Sequence, residues 1–389
     1  MKRVRTGLEE LLARPSRLRG SRVGLIANPT AVTPDLTHAA LHLKALKSTK
    51  LAALFGPEHG VFANAQDLEE VGDQKDAKTG LRVWSLYGET RVPTAKMLKG
   101  LDTLVFDVQD VGSRYYTFIY TMLHAMQACA EHGVRLIVLD RPNPINGMGV
   151  QGNVLDPRFL SFVGMHPLAV RHGMTVGELA LMFADELGLS LDLEVVPMKG
   201  YRRAMDFEDT GLPWVLPSPN MPTVDTAVVY PGGCLIEGTN LSEGRGTTRP
   251  FHLVGAPWLD PWKLADDLSR AELSGLGFRP CYFTPTFQKH AGVVCGGVEV
   301  HITDRRQVDA FYAYLVLIEK ARAQDKKKFA WRKPPYEYEF VKPPIDILCG
   351  TSDVREAIEA GRPVKKMKDQ FESEARAFEV IRKPYLLYS

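Results

Sequence analysis

The sequence predicts an α/β protein, a Rossmann-like parallel-sheet domain followed by a smaller α+β C-terminal domain. Three observations predict it. Short apolar runs alternate with helical patterns through the first half of the chain. Those runs are apolar throughout rather than alternating, which implies burial on both faces, as in a parallel sheet covered by helices. Around Trp214 to Gly238 the composition shifts to Pro and Gly, and the pattern after it changes. At a prior of roughly 150 residues per domain, 389 residues suit two domains, placed at 1–230 and 231–389.

Leu8, Leu11 and Leu12 give a short amphipathic helix that Pro15 ends. Strands follow at Arg22 to Asn28, Lys50 to Phe55, Arg82 to Tyr87, Thr103 to Val108, Arg135 to Asp140 and Leu193 to Met198. Helices between them are expected at about Leu36 to Leu46, Pro93 to Lys99, Tyr116 to His132 and Thr175 to Leu187. Thr175 and Glu178 form a Thr-x-x-Glu capping box that opens the last of these. The Pro- and Gly-rich stretch reads as punctuation. Beyond it, helices are expected at about Pro261 to Ala271 and Arg306 to Ala323. Strands are expected at about Arg279 to Thr286, Gly292 to Thr303 and Tyr336 to Phe340.

Composition excludes several functions. With 45% hydrophobic and 24% charged residues the chain is neither disordered nor fibrous. Lys plus Arg (48) and Asp plus Glu (46) leave a net charge of +2, so no global field draws nucleic acid or a membrane surface. The five cysteines lack paired spacing, which suits a reducing compartment. The basic start has no apolar run of about 7 to 15 residues behind it, and no run approaches the roughly 18 apolar residues of a membrane span. The expected location is therefore cytoplasmic, with a trimmed export signal as the alternative. No GxGxxG follows the first strand, where Asn28-Pro29-Thr30-Ala31 stands, so no dinucleotide is expected. Gly244 to Thr248 and Cys295 to Gly297 lack the Lys of a phosphate loop and read as turns, and Lys326 to Lys328 as a solvated face. Nothing in the sequence sets an oligomeric state.

In open parallel sheets ligands bind beyond the carboxyl ends of the strands. The loops there carry the polar residues. Glu58 sits between Pro57 and Gly60 after an apolar strand, where burial would favour the protonated carboxyl of a general acid. A helix cap or a partner of Arg explains it equally. His59 is a candidate substrate donor, although a hydrogen-bonded structural role is common for a lone His. Asp107 and Asp110, with Arg114, Tyr115 and Tyr116, combine carboxylate, guanidinium and aromatic faces, which suits a sugar carrying an anion. An internal Asp–Arg pair would use the same residues. Asp140, Arg141 and Asn143 lie in a loop stiffened by two prolines. Ser218, Asn220 and Met221, then Glu237, Asn240, Glu243, Arg245 and Arg249, form a second polar segment among glycines. That segment either closes a cleft against the first domain's loops and supplies a second carboxylate, or is a hinge held by its own ion pairs.

These motifs, in this order, resemble the NamZ family of exo-β-N-acetylmuramidases. The matching stretches are FGPEHG (Phe55 to Gly60), DVQDVGSRYYTF (Asp107 to Phe118), LDRPNPING (Leu139 to Gly147), SPNMPT (Ser218 to Thr223) and YPGGCLIEGTNLSEGRGTTRPF (Tyr230 to Phe251). The resemblance runs from about Val23 to the C-terminus. It implies release of N-acetylmuramic acid from the non-reducing end of peptidoglycan fragments, in an active-site cleft between the two domains, with Glu58 as the catalytic residue. Members are often exported, and this chain departs from them in showing no export signal. The substrate is a small sugar or muropeptide, and no metal or organic cofactor is implied.

N-Acetylmuramic acid carries a lactyl carboxylate and an acetamido group, so a selective pocket needs a guanidinium fork. Arg114, Arg141, Arg245 and Arg249 are the candidates, and Arg114 is preferred because its loop lies nearest Glu58. For the second catalytic group, Glu237 or Glu243 would activate water. Alternatively the substrate's acetamido group attacks the anomeric carbon, oriented by Asp107 or Asp110, and this second route is the one expected. Two other readings stay open: a metal-dependent hydrolase built on Glu58, His59, Asp107 and Asp110, which lack any HExxH spacing, and a non-catalytic muropeptide-binding module.

Overall fold

The computed structural model describes residues 3–61 and 74–389. In chain order its strands are β1 (Arg22–Ala27), β2 (Lys50–Gly56), β3 (Gln74–Lys75), β4 (Arg82–Ser85), β5 (Thr103–Asp107), β6 (Arg135–Leu139), β7 (Gln151–Val154), β8 (Ala169–Arg171), β9 (Leu193–Val196), β10 (Leu253–Ala256), β11 (Leu276–Phe283) and β12 (Cys295–Ile302). The helices are α1 (Gly7–Ala13), α2 (Ala39–Ala45), α3 (Ala95–Leu98), α4 (Phe118–His132), α5 (Val176–Glu186), α6 (Val224–Gly233), α7 (Pro261–Ser269), α8 (Ala310–Gln324), α9 (Pro344–Cys349), α10 (Asp353–Glu359) and α11 (Lys368–Arg382).

The large sheet has the order β3-β4-β2-β1-β5-β6-β9. β4 to β9 in that order pair in parallel, and β3 adds an antiparallel edge. Its two faces bury alternate residues of the same strands. Val105, Ile137 and Leu139 join Leu8, Leu11 and Leu43 from α1 and α2 in one core. Leu104, Phe106, Leu136 and Val138 face α4 and α5 in the other. This double burial is why the strands are apolar throughout. The chain winds outward from β1 in both directions, which makes the gap between β1 and β5 the switch point where loops diverge.

The second half holds the antiparallel sheet β10-β12-β11 with α7 and α8. The larger core runs from Ile26 through Phe251 and Phe311 to Phe378, so both halves share it.

Several expectations need correction. Within the Pro- and Gly-rich stretch from Trp214 to Gly238, read as punctuation, Val224–Gly233 form α6. A Cβ on Gly232 would come within 2.0 Å of the Ala310 carbonyl, so the glycine is what lets α6 lie against α8. Tyr336 to Phe340 is not a strand. Tyr336 and Glu339 form an isolated bridge around Glu337 and Tyr338, both at positive φ (45° and 64°). The β7–β8 pair and helices α9 to α11 were not anticipated.

Candidate active site

β2 delivers Glu58. A Cβ on Gly56 would meet the Val61 nitrogen at 2.8 Å, so the chain doubles tightly over the strand end. The turn closes with the Gly60 N–H donating to the Pro57 carbonyl at 2.9 Å, through His59 and Gly60 at φ 66° and 79°. Glu58 and His59 are therefore buried, yet both line a pocket. Thr117 stands at the N-terminus of α4 without capping it. Its hydroxyl donates to Glu58 Oε2 instead. The positive end of a 15-residue helix thus lies behind the carboxylate.

The pocket is a narrow cleft that spans about 470 Å³ only when the solvent space at its open mouth is counted. Its aromatic wall is a chain of edge contacts: Tyr115 to Tyr230 (5.9 Å), Tyr116 to Tyr230 (5.5 Å) and Tyr230 to Phe251 (4.9 Å). Tyr115 donates its hydroxyl to the Pro231 carbonyl, which fixes the loop against α6. Burial raises the pKa values of Tyr115, Tyr116 and Tyr230 well above the usual phenol value, so all three stay neutral. Asn28 donates to the Pro217 carbonyl at 3.1 Å. That bond anchors the 217–221 segment over the sheet's switch point, and Ser218 and Asn220 of this segment enter the lining.

The C-terminal half contributes charge. Glu237, on the turn after α6, accepts from Arg245 Nη2 at 2.8 Å and from the Tyr336 hydroxyl at 2.7 Å. Burial pushes this carboxyl up, but Arg245, Tyr336 and Lys289 outweigh it and hold the group below the usual carboxylate range. Arg245 also lies 3.4 Å from Glu243 and above the Phe251 ring. Glu337 completes the wall and accepts from the Tyr87 hydroxyl at 3.2 Å.

Of the residues singled out in the sequence, Glu58, His59, Tyr115, Tyr116, Ser218, Asn220, Met221, Glu237 and Arg245 line this pocket together. The others do not. Arg114 is fully buried and spends its guanidinium on four backbone carbonyls, those of Asn153, Leu168, Leu348 and Cys349, at 2.9–3.0 Å. It cannot be the lactyl reader. Asp107 and Arg141 form a buried bidentate pair at 2.6 and 3.0 Å. Asp110 accepts from the Gly112 N–H and faces His172. Asp140 accepts from Gly177, Thr175 and Tyr388 beneath the sheet edge, and burial raises its pKa to about 6. Asn143 donates to the Met174 carbonyl and accepts from the Ile145 N–H. Asn240 pins the 328–330 segment, Arg249 pairs with Glu299 on β12, and Glu243 sits behind the wall on Lys289 and Arg245. The four ligands of the metal reading are thus split between the pocket and the scaffold. Among the described residues no group of three or more His, Cys, Asp or Glu is placed to hold a metal.

Thr117, Tyr336 and Glu337 were missed. Thr117 follows two tyrosines already singled out, and that adjacency at the start of an expected helix was the available signal. The alternation Tyr336-Glu337-Tyr338-Glu339 reads equally as an exposed strand, which hid it.

The family model described as exo-beta-N-acetylmuramidase NamZ, N-terminal, matches residues 23–225, and its C-terminal counterpart matches residues 228–388. The chain is 47% identical over 388 residues to the peptidoglycan beta-N-acetylmuramidase NamZ of Bacillus subtilis (strain 168), covering 99% of this chain and 92% of that protein. A crystal structure of a DUF1343 family protein from Bacteroides fragilis NCTC 9343 superposes with a TM-score of 0.90 at 36% identity, covering 100% of this chain and 99% of that one. A second DUF1343 protein from the same organism gives 0.79 at 31% identity, with the same coverage.

Proposed function

The chain belongs to the exo-β-N-acetylmuramidase NamZ family, and from that premise we propose that it releases N-acetylmuramic acid from the non-reducing end of peptidoglycan fragments, with Glu58 as general acid. The observation that carries the assignment of roles is that Glu58 and the Glu237–Arg245 pair, from opposite halves of the chain, line one pocket.

The terminal sugar occupies that pocket, and Glu58 protonates the oxygen that leaves with the remaining chain. The Thr117 hydroxyl holds Glu58 by Oε2 at the N-terminal end of α4. Arg245 is the one member of the four expected guanidiniums in the lining, so it is the candidate reader of the lactyl carboxylate. Glu237 accepts hydrogen bonds on both oxygens and is held ionised, which makes it a weak base for water. That supports attack by the substrate's own acetamido group, with Glu337 in the orienting role once expected of Asp107 or Asp110.

Among the described residues no helix is long and apolar enough to cross a membrane. A reducing, cytoplasmic location is supported by five free, buried cysteines.

The test is hydrolysis of a β-linked chromogenic N-acetylmuramide against the matching N-acetylglucosaminide. The muramide should be strongly preferred, and Glu58→Gln should lose about a hundredfold or more in kcat while retaining substrate binding. Comparable rates on both sugars would remove the lactyl-reading role, and an unimpaired Glu58→Gln would remove the general acid.

A further inference from the structure

One aromatic cluster beside the pocket takes no part in the roles above. Glu337 lines the pocket, and the next residue, Tyr338, turns its ring outward with 39% of its surface exposed. The rings of Tyr87 and Phe162 support Tyr338 edge-on at 5.9 and 6.0 Å. Arg91 lies over the same cluster, its guanidinium carbon 4.0 Å from the Tyr338 centroid and 5.1 Å from that of Phe162. Glu337 and Tyr338 are consecutive residues at positive φ, a costly conformation for side chains of this size. Glycines would satisfy the turn more cheaply, so the backbone is held to present a ring.

The position of this ring relative to the reacting bond follows from the pocket's closed side. Tyr115, Tyr116, Tyr230 and Phe251 are all buried and pack edge to face, so no chain can leave past them. Tyr338 is tied to the pocket through Tyr87, whose ring it meets edge-on and whose hydroxyl donates to the lining residue Glu337. Two and three residues beyond it, Phe340 and Val341 are 71% and 82% exposed. An exo-acting enzyme holds the terminal sugar in the blind end, and the next sugar must lie where the acid's proton is delivered and the wall opens.

We infer that Tyr338, with Arg91 above it, forms the binding platform for the leaving N-acetylhexosamine. The apolar face of the pyranose packs against the exposed part of the Tyr338 ring that Arg91 leaves open, while the guanidinium at its edge reaches its hydroxyl or acetamido oxygens. The inference rests on the proposed function for the identity of the bond cut.

The experiment compares the disaccharide N-acetylmuramyl-β-1,4-N-acetylglucosamine with methyl β-N-acetylmuramide, which has no second sugar. Tyr338→Ala should raise KM for the disaccharide about five- to tenfold, the size of a lost stacking contact, with kcat within about twofold. Tyr338→Phe should restore it, Arg91→Ala should give a smaller rise, and the methyl glycoside should be insensitive to all three. Equal losses on both substrates, or a disaccharide KM unchanged in Tyr338→Ala, would overturn the platform. Calorimetric titration with N-acetylglucosamine separates the two readings. If the wild-type chain cleaves neither muramide, the functional assignment falls, while Tyr338-dependent binding of the free sugar still decides the platform.

Discussion

Arg245 Nη2 stands 2.8 Å from Glu237 Oε1, and the pair joins the chain's second half to the wall that Glu58 enters from the first. Because this pairing holds the Glu237 carboxyl below its ordinary range, its stabilising contribution is complete above about pH 4.3, the unfolded value, and is lost as pH falls through the folded value. Glu237→Gln should therefore cost about 3 kcal/mol at neutral pH, measured by urea unfolding. The gap between variant and wild type should narrow steadily below pH 4. A gap that stays constant into acid would show that the pair adds nothing through charge.

Asp140 behaves with the opposite sign. Its folded pKa of about 6 lies above the unfolded value of an aspartate, so the ionised form is disfavoured in the native state, and stability rises as pH drops from 6 toward 4. The difference between the two states is worth about 3 kcal/mol. Asparagine can still meet the hydroxyls of Thr175 and Tyr388, which both accept and donate. Asp140→Asn should fold and abolish this rise, read from denaturation midpoints at pH 7 and pH 4.5. An unaltered pH dependence in the variant would refute the assignment.

Arg114 tests whether an arginine inside a family motif must touch substrate. Its donors serve carbonyls on the β7–β8 segment and at the end of α9, tying together parts of the chain more than 230 residues apart in sequence. Arg114→Lys cannot span that fork, and leaving buried carbonyls unpaired should cost about 3–5 kcal/mol. The expected signature is a lowered melting temperature with the KM of the folded fraction within about twofold of wild type. A selective rise in KM without loss of stability would return Arg114 to the substrate.

That contrast marks what the sequence made legible. The parallel sheet was readable because burial on both faces leaves unbroken apolar runs, as in Thr103 to Asp107. Glu58 stands out in the sequence as a carboxylate between Pro57 and Gly60 at a strand end, although a helix cap or a partner of Arg explains it equally there, and only the fold puts it in the pocket lining. Arg114, Asp140 and Asn143 share the composition of site residues, but their side chains point under the loops, and direction is not written in composition. α6 was obscured because Pro231, Gly232 and Gly233 look like a turn, whereas close contact with α8 is what requires Gly232 to be small. Glu337 reaches the pocket through a turn far along the chain, a pairing that only the tertiary structure specifies.

Thr117 gives a finer test of the acid. Its hydroxyl is turned to Glu58 rather than to the N-terminus it would otherwise cap. Thr117→Val keeps the shape and removes the donor. Since a hydrogen bond to a charged group contributes about 1.5–3 kcal/mol, kcat should fall about ten- to a hundredfold with KM little changed. Helix stability should hold, because no cap is lost. If kcat stays at wild-type level, Thr117 does not position the acid.

Stereochemistry separates the two routes at the anomeric carbon. If the acetamido oxygen attacks, the bond from C1 to the leaving oxygen breaks as Glu58 gives that oxygen its proton, and a cyclic oxazolinium forms within the sugar. Water then attacks C1 from the opposite side, which breaks the bond from C1 to the acetamido oxygen and regenerates the acetamido group, while Glu58 takes the proton that water loses. Two inversions restore the β configuration. A water-activating base would give one inversion and an α product. Glu237 is the carboxylate that such a base would need, and its two oxygens are already engaged by Arg245 and Tyr336 in a way that lowers its basicity. Proton NMR during the first minutes of muramide hydrolysis should therefore show the β anomer before mutarotation. Glu337→Gln, which keeps an acceptor oxygen but removes the charge beside the acetamido nitrogen, should slow turnover without changing that outcome. An α product appearing first would exclude the acetamido route and assign the base to Glu237.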